Sequence, residues 1–175
     1  MRTTVYIIRH AEAEGNVYRR CHGQYNALLT TRAYKQLPYL AKRFENVPLA
    51  AVYSSDLFRA LQTAHAFADM LGLDVTADAR LRERSFGQWE GMTRDEIDMG
   101  DWADLPWAEL QHTGPGQYAL WCARPWEAAP PHGETVMQAG QRMLDGVRAI
   151  VRENEGKEVA VVTHGSAIRG MLTIA

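Results

Sequence analysis

Three short apolar runs constrain this chain more than any other feature. Val5-Tyr6-Ile7-Ile8, Ala50-Ala51-Val52-Tyr53 and Val159-Ala160-Val161-Val162 are rich in strand-forming residues and carry no polar alternation. Such runs suit strands covered on both faces, and Val5 to Ile8 reads as a central strand of this kind. Helical spacing fills the intervals. Thr30 or Thr31 is placed to cap a helix with Ala33, Leu37, Leu40, Ala41 and Phe44 on one face. Pro38 lies inside that pattern and predicts a kink or a break. Ser54 or Ser55 is placed to cap a second helix running to Leu71, with Gly72 as its stop. Leu73 to Thr76 reads as an edge strand. Thr135 opens an amphipathic helix with Val136, Gly140, Met143, Leu144, Val147, Ile150 and Val151 on one face, and a last helix begins near Ser166. Strands alternating with helices predict an α/β domain with a mostly parallel sheet.

The length, 175 residues, fits one domain over 1–175, and 46% apolar residues suffice for one sizeable core. From Arg84 to about Pro131 the pattern is irregular, and all five tryptophans fall in it, so a Trp-rich insertion is expected at about 92–133. It suits either a subsidiary core or an apolar lid, which would favour a partly apolar or aromatic leaving group. The net charge of −2 excludes a global excess that would attract nucleic acid or an anionic membrane. Any anion chemistry must therefore rest on a local basic cluster. Cys21 and Cys122 form no C-x-x-C pair and read as free thiols. The first residues lack the long apolar stretch of a signal peptide, and no run approaches a membrane span, so a cytoplasmic protein is expected.

In open α/β sheets, ligands bind beyond the carboxyl ends of the strands. His10 and His164 both sit there, each two residues after its strand's last apolar residue. The remaining histidines, His22 apart, show no metal-ligand spacing, and no metal is expected.

Four stretches extend this placement: Arg9-His10-Ala11-Glu12; Ser54-Ser55-Asp56-Leu57-Phe58-Arg59-Ala60-Leu61-Gln62-Thr63-Ala64; Leu81-Arg82-Glu83-Arg84-Ser85-Phe86-Gly87-Gln88-Trp89-Glu90-Gly91; and Val161-Val162-Thr163-His164-Gly165. In this order and spacing the chain resembles the histidine phosphatase superfamily, also called phosphoglycerate mutase-like, from Val5 to about Gly170. The resemblance implies a three-layer α/β/α sandwich and phosphomonoester hydrolysis through a covalent phosphohistidine. His10 matches the nucleophile, Arg9 and Arg59 the phosphate-holding arginines, His164 the second phosphate-contacting histidine and Glu83 the general acid. Asn16, His22 and Gly23 match substrate-contacting loop positions, and the backbone N–H groups of Gly165 and Ser166 are candidate donors at a helix N-terminus. Ala11 stands where the family usually has Gly. The expected partner is a small phosphomonoester, with no cofactor. The Phe86-Gly87-x-Trp89-Glu90-Gly91 form looks like the phosphatase branch; mutase-type transfer and a non-catalytic phospho-ligand module are the alternatives. Relatives usually continue beyond the position of Ala175. Without that segment, an apolar face near Met171, Leu172 and Ile174 is expected to be open, and a homodimer would cover it.

Overall fold

The computed structural model describes residues 2–100 and 116–175. Four strands, β1 (Thr4–Arg9), β2 (Leu49–Ser54), β3 (Val75–Ala77) and β4 (Glu158–Thr163), form one sheet in the order β1-β4-β2-β3. Every pairing is parallel. Alternate strand residues face opposite ways, and each face is covered. Tyr6, Ile8, Val52, Ala160 and Val162 pack with α2 (Thr31–Phe44) and α3 (Phe58–Leu71) around Phe44 and Phe67. Val5, Ile7, Ala51, Tyr53, Val159 and Val161 pack with α6 (Val136–Glu153) and α7 (Gly165–Ile174) around Met143, Ile150 and Met171. The result is the expected three-layer sandwich. Short helices α1 (Glu14–Tyr18), α4 (Arg94–Gly100) and α5 (Gln117–Ala123) lie outside these layers in the sequence order.

The central strand is β4, not β1. β4 is buried along nearly its whole length, whereas β1 is an edge of the described sheet with half-buried side chains. An unbroken apolar run reports that both faces are covered; it carries no information about how many neighbours pair with the backbone.

Thr30 caps α2, its side chain accepting the Ala33 N–H at 3.1 Å. Pro38 does not break this helix: it lies on the exposed side, and the residues that must be buried, Ala33 and Phe44, flank it from either end. Neither Ser54 nor Ser55 caps α3. Ser54 belongs to β2, Ser55 Oγ accepts the Leu57 N–H, and Asn26 from a distant loop accepts the Phe58 N–H that opens the helix. Gly72 ends α3 in the left-handed region at φ +67°, a geometry that glycine adopts without strain. α6 and α7 touch backbone to backbone: a Cβ on Gly140 would lie 2.3 Å from the Gly170 carbonyl carbon.

The apolar face expected near the end of α7 is not open. Met171 is buried and Ile174 packs on the same core, leaving Leu172 exposed. Among the described residues no helix is long and apolar enough to cross a membrane.

Candidate active site

β1 and β4 end in register, Arg9 opposite Thr163. The next residue on each strand is therefore a histidine, and the His10 N–H continues the ladder by donating to the Thr163 carbonyl at 2.9 Å. The two rings stand with centroids 5.1 Å apart, and both residues are buried. His10 Nδ1 lies 2.6 Å from the Ala11 carbonyl oxygen. A carbonyl only accepts, so Nδ1 carries the proton and Nε2 keeps its lone pair. Burial, with the charges of Arg59 and Arg9 adding to it, lowers the His10 pKa to about 3. His164, fully buried, is likewise held well below the ordinary range by desolvation and by Arg59, and among the described residues neither of its ring nitrogens has a hydrogen-bond partner. His10 and His164 are thus neutral at pH 7, and among the described residues each has a ring nitrogen with no hydrogen-bond partner.

Arg59 comes from the first turn of α3 and is buried. Its Nη1 donates to the Tyr25 carbonyl and Nη2 to the Gly23 carbonyl, both at 2.8 Å, while Nε has no acceptor. Thr63, one turn on, donates to the Arg59 carbonyl and accepts the Ala11 N–H at 3.0 Å, tying α3 to the loop after β1. Arg9 is exposed and its guanidinium passes beside Gly165.

Glu83 meets the N-terminus of α7. Its Oε1 accepts the N–H groups of Ala167 and Arg84, and its Oε2 accepts that of Ser166 at 3.1 Å. The Ser166 N–H is therefore a ligand of Glu83 and not a free phosphate donor, because a carboxylate at a helix start satisfies the otherwise unpaired first-turn amides. Gly23 lines the same cavity as Glu83 and also positions a neighbour. Its φ is +52°, its carbonyl orients Arg59, and a Cβ there would collide with Glu90. His22 lies across Gly15 with Nε2 buried and unpartnered, and burial lowers its pKa to about 4. Asn16 is exposed at the cavity wall, its Oδ1 accepting the Ala13 N–H.

A cavity of about 750 Å³ joins these groups; Arg9, His10, Asn16, His22, Arg59, Glu83 and Gly165 all line it. Its wall is arginine-rich: Arg19, Arg20, Arg84, Arg94 and Arg169 also contribute, against Glu83 and Asp95. This is the local basic cluster that a net-acidic chain needs for anion chemistry. The aromatic part of the wall is Tyr18, Phe86 and Trp121, of which the last two pack with Trp89, Ile97 and Tyr118 as a small separate core. Trp126 is exposed; Trp102, Trp107 and His112 lie outside the described residues.

Two arginines escape the sequence reading. Arg142 on α6 forms a bidentate pair with Glu134 and donates to the carbonyls of Arg80, Arg82 and Glu83, so it fixes the loop that presents Glu83. Arg84 is buried between Phe86 and Trp121. Only partners distant in sequence distinguish such residues, and those are not visible in spacing. Arg82, in contrast, pairs with Asp56 across the loop, and among the described residues Glu83 has no ion pair.

Two uncharged imidazoles set among guanidiniums at the carboxyl edge of a parallel sheet define a protein of phosphoryl transfer. The comparison with known proteins is specific. The chain belongs to the histidine phosphatase superfamily (branch 1), whose pattern it matches over residues 5–97 and 94–175. It is 30% identical over 169 residues to a probable phosphoglycerate mutase, GpmB, of Yersinia pestis, covering 97% of this chain and 73% of that protein. Among solved structures it is similar to Bacillus stearothermophilus YhfR, with 35% identity and a TM-score of 0.85, covering 98% of this chain and 79% of the other. It is also similar to the α-ribazole phosphatase of Shigella flexneri, with 25% identity and a TM-score of 0.81 over 97% and 77% of the two chains.

Proposed function

We propose that this chain hydrolyses small phosphomonoesters through a phosphoryl group carried on His10. The observation that carries the reading is the tautomer of His10: its proton is committed to the Ala11 carbonyl, and the ring that carries the free Nε2 lone pair stands beside that of His164 and lines the same cavity as Arg59. In the first step Nε2 attacks phosphorus and the ester P–O bond breaks. Glu83, in its carboxylic acid form, passes a proton to the departing oxygen. Arg9, Arg59 and His164 bind the three non-bridging oxygens, and positioned charge does most of the work in such a transfer. In the second step the Glu83 carboxylate takes a proton from water, the oxygen attacks phosphorus, the P–N bond breaks and phosphate leaves. His10 and Glu83 return to their starting forms.

Mutase-type transfer is the second reading, favoured by the name of the Yersinia pestis relative. The α-ribazole phosphatase among the structural relatives, and the glucosyl-3-phosphoglycerate phosphatase of a mycobacterium at 28% identity and a TM-score of 0.77, support hydrolysis. Incubation with 3-phosphoglycerate separates the two. Free phosphate is the expected product; accumulation of 2-phosphoglycerate without phosphate release favours the mutase. Loss of all turnover in His10→Ala is expected as well, and wild-type turnover in that variant contradicts the nucleophile.

A further inference from the structure

Two loops meet at one carboxylate outside the groups that hold the phosphoryl. The loop after α1 supplies the Gly23 and Tyr25 carbonyls that take both arms of the Arg59 guanidinium, each at 2.8 Å. The loop after β3 carries Glu83. Glu90 joins the two. Its Oε1 accepts the Gln24 N–H of the first loop at 2.9 Å, and from the second loop the Phe86 N–H at 3.1 Å and the Ser85 hydroxyl at 3.4 Å. The same oxygen lies against Gly23: a Cβ there would stand 2.3 Å from it, and Gly23 takes φ +52°, which a residue without a side chain adopts freely. An ionised oxygen makes stronger hydrogen bonds than a neutral one, so this junction is firmer than the Gln24 side-chain bond to the Glu83 carbonyl that runs beside it at 3.3 Å. Burial lowers the Arg59 pKa to about 10, and the charges of Glu83 and Glu90 oppose that fall. Glu90 therefore lies within electrostatic reach of Arg59 while bonding only to the loops around it.

We infer that Glu90 is a positioning residue: it locks the Gly23–Tyr25 loop against the segment that carries Glu83, and so fixes the Arg59 guanidinium relative to the acid. It touches no reacting atom and acts through Arg59. The inference rests on the reading that Arg59 binds the phosphoryl oxygens. A shift of about 1 Å in such a group is costly to a transfer that depends on placement. The Phe86-Gly87-x-Trp89-Glu90-Gly91 stretch thereby acquires a physical task, which is to present one acceptor to two loops at once.

The test measures calorimetric binding of orthovanadate, an oxyanion that stands for the transferring phosphoryl group, and needs no turnover. Glu90→Ala is expected to weaken binding by about tenfold, and Glu90→Gln, which keeps an acceptor oxygen, by less than about threefold. In an Arg59→Met background the Glu90→Ala loss shrinks to about twofold or less, because the residue it acts through is gone. Glu90→Asp keeps the charge but withdraws the oxygens by one methylene, so it repeats the loss where Glu90→Ala fails to fold. Exchange of the Arg59 Nε–H with solvent, followed by NMR, gives the same comparison in single variants: about tenfold faster in Glu90→Ala or Glu90→Asp, and unchanged in Glu90→Gln. Unaltered binding in Glu90→Ala, a Glu90→Gln as weak as Glu90→Ala, or an equal loss with and without Arg59 each overturns the inference. A wild type that binds no orthovanadate overturns the phosphoryl role of Arg59 and the inference with it. Initial rates on p-nitrophenyl phosphate in the same proteins separate the two readings. Coupling of Glu90 to Arg59 in a chain that hydrolyses no ester upholds the inference and rejects the phosphatase reading; hydrolysis without that coupling rejects the inference alone.

Discussion

His10 is neutral because the fold removes it from water and places two guanidiniums nearby, and this has a consequence for stability. Unfolded histidine titrates near 6.5, whereas folded His10 titrates at about 3 and His22 at about 4, with His164 well below its ordinary value. Between those limits the unfolded chain binds protons that the folded chain excludes. Stability is therefore fully present above about pH 6.5 and falls as the pH drops toward 3, by about 1.4 kcal/mol per pH unit for each of the buried His10 and His164 and by less for the half-buried His22, where solvent screens the charge. Urea unfolding at pH 7.5 and 5.0 measures this. His10→Ala should flatten the slope by one histidine's share, and a wild-type slope of zero contradicts the neutral pair. Glu83 gives a second residue-scale prediction. Glu83→Gln should lower kcat for alkyl phosphates by about 100-fold or more and far less for an aryl ester whose phenolate leaves unaided. Equal losses on the two esters would exclude the acid role.

Elements position these residues, and their contacts set what can be changed. His164 is the residue from which α7 departs, and α7 is held against α6 where Gly140 meets Gly170. Gly140→Ala places a methyl within the Gly170 backbone, so the helices must part. The expected cost is about 2–3 kcal/mol, or a fall in Tm of about 4–10 °C; differential scanning calorimetry decides it, and an unchanged Tm contradicts the close crossing. The helices themselves were legible from their caps and stripes: Thr30, Thr135 and Gly72 behave as their residue types require. The start of α3 was not legible, because its first amide is satisfied by Asn26 across the fold and not by a neighbour in sequence. The same holds for Arg142, whose partners are dispersed over the loop before Glu83.

At the scale of the whole molecule, the sheet gathers the site. Apolar runs and the spacing of His10 and His164 after them point to the paired strand ends, and the motifs extend this to Arg9, Arg59 and Glu83; His10, Arg9, Arg59 and Glu83 line one cavity, and the His164 ring lies beside that of His10. What spacing cannot show is the order of strands, which depends on backbone pairing and puts β1 at an edge. Nor can it show that Ser166 and Gly23 serve Glu83 and Arg59, since those bonds involve main-chain groups that every residue carries. The account stands on transfer of phosphorus to one nitrogen. Rapid mixing with a phosphomonoester, an alkaline quench and mapping by mass spectrometry, with ³¹P NMR to separate the two ring positions, measures it directly. The account predicts a transient phosphoryl group on Nε2 of His10. A phosphoryl group on His164, or full turnover with no phosphohistidine formed at all, would contradict it.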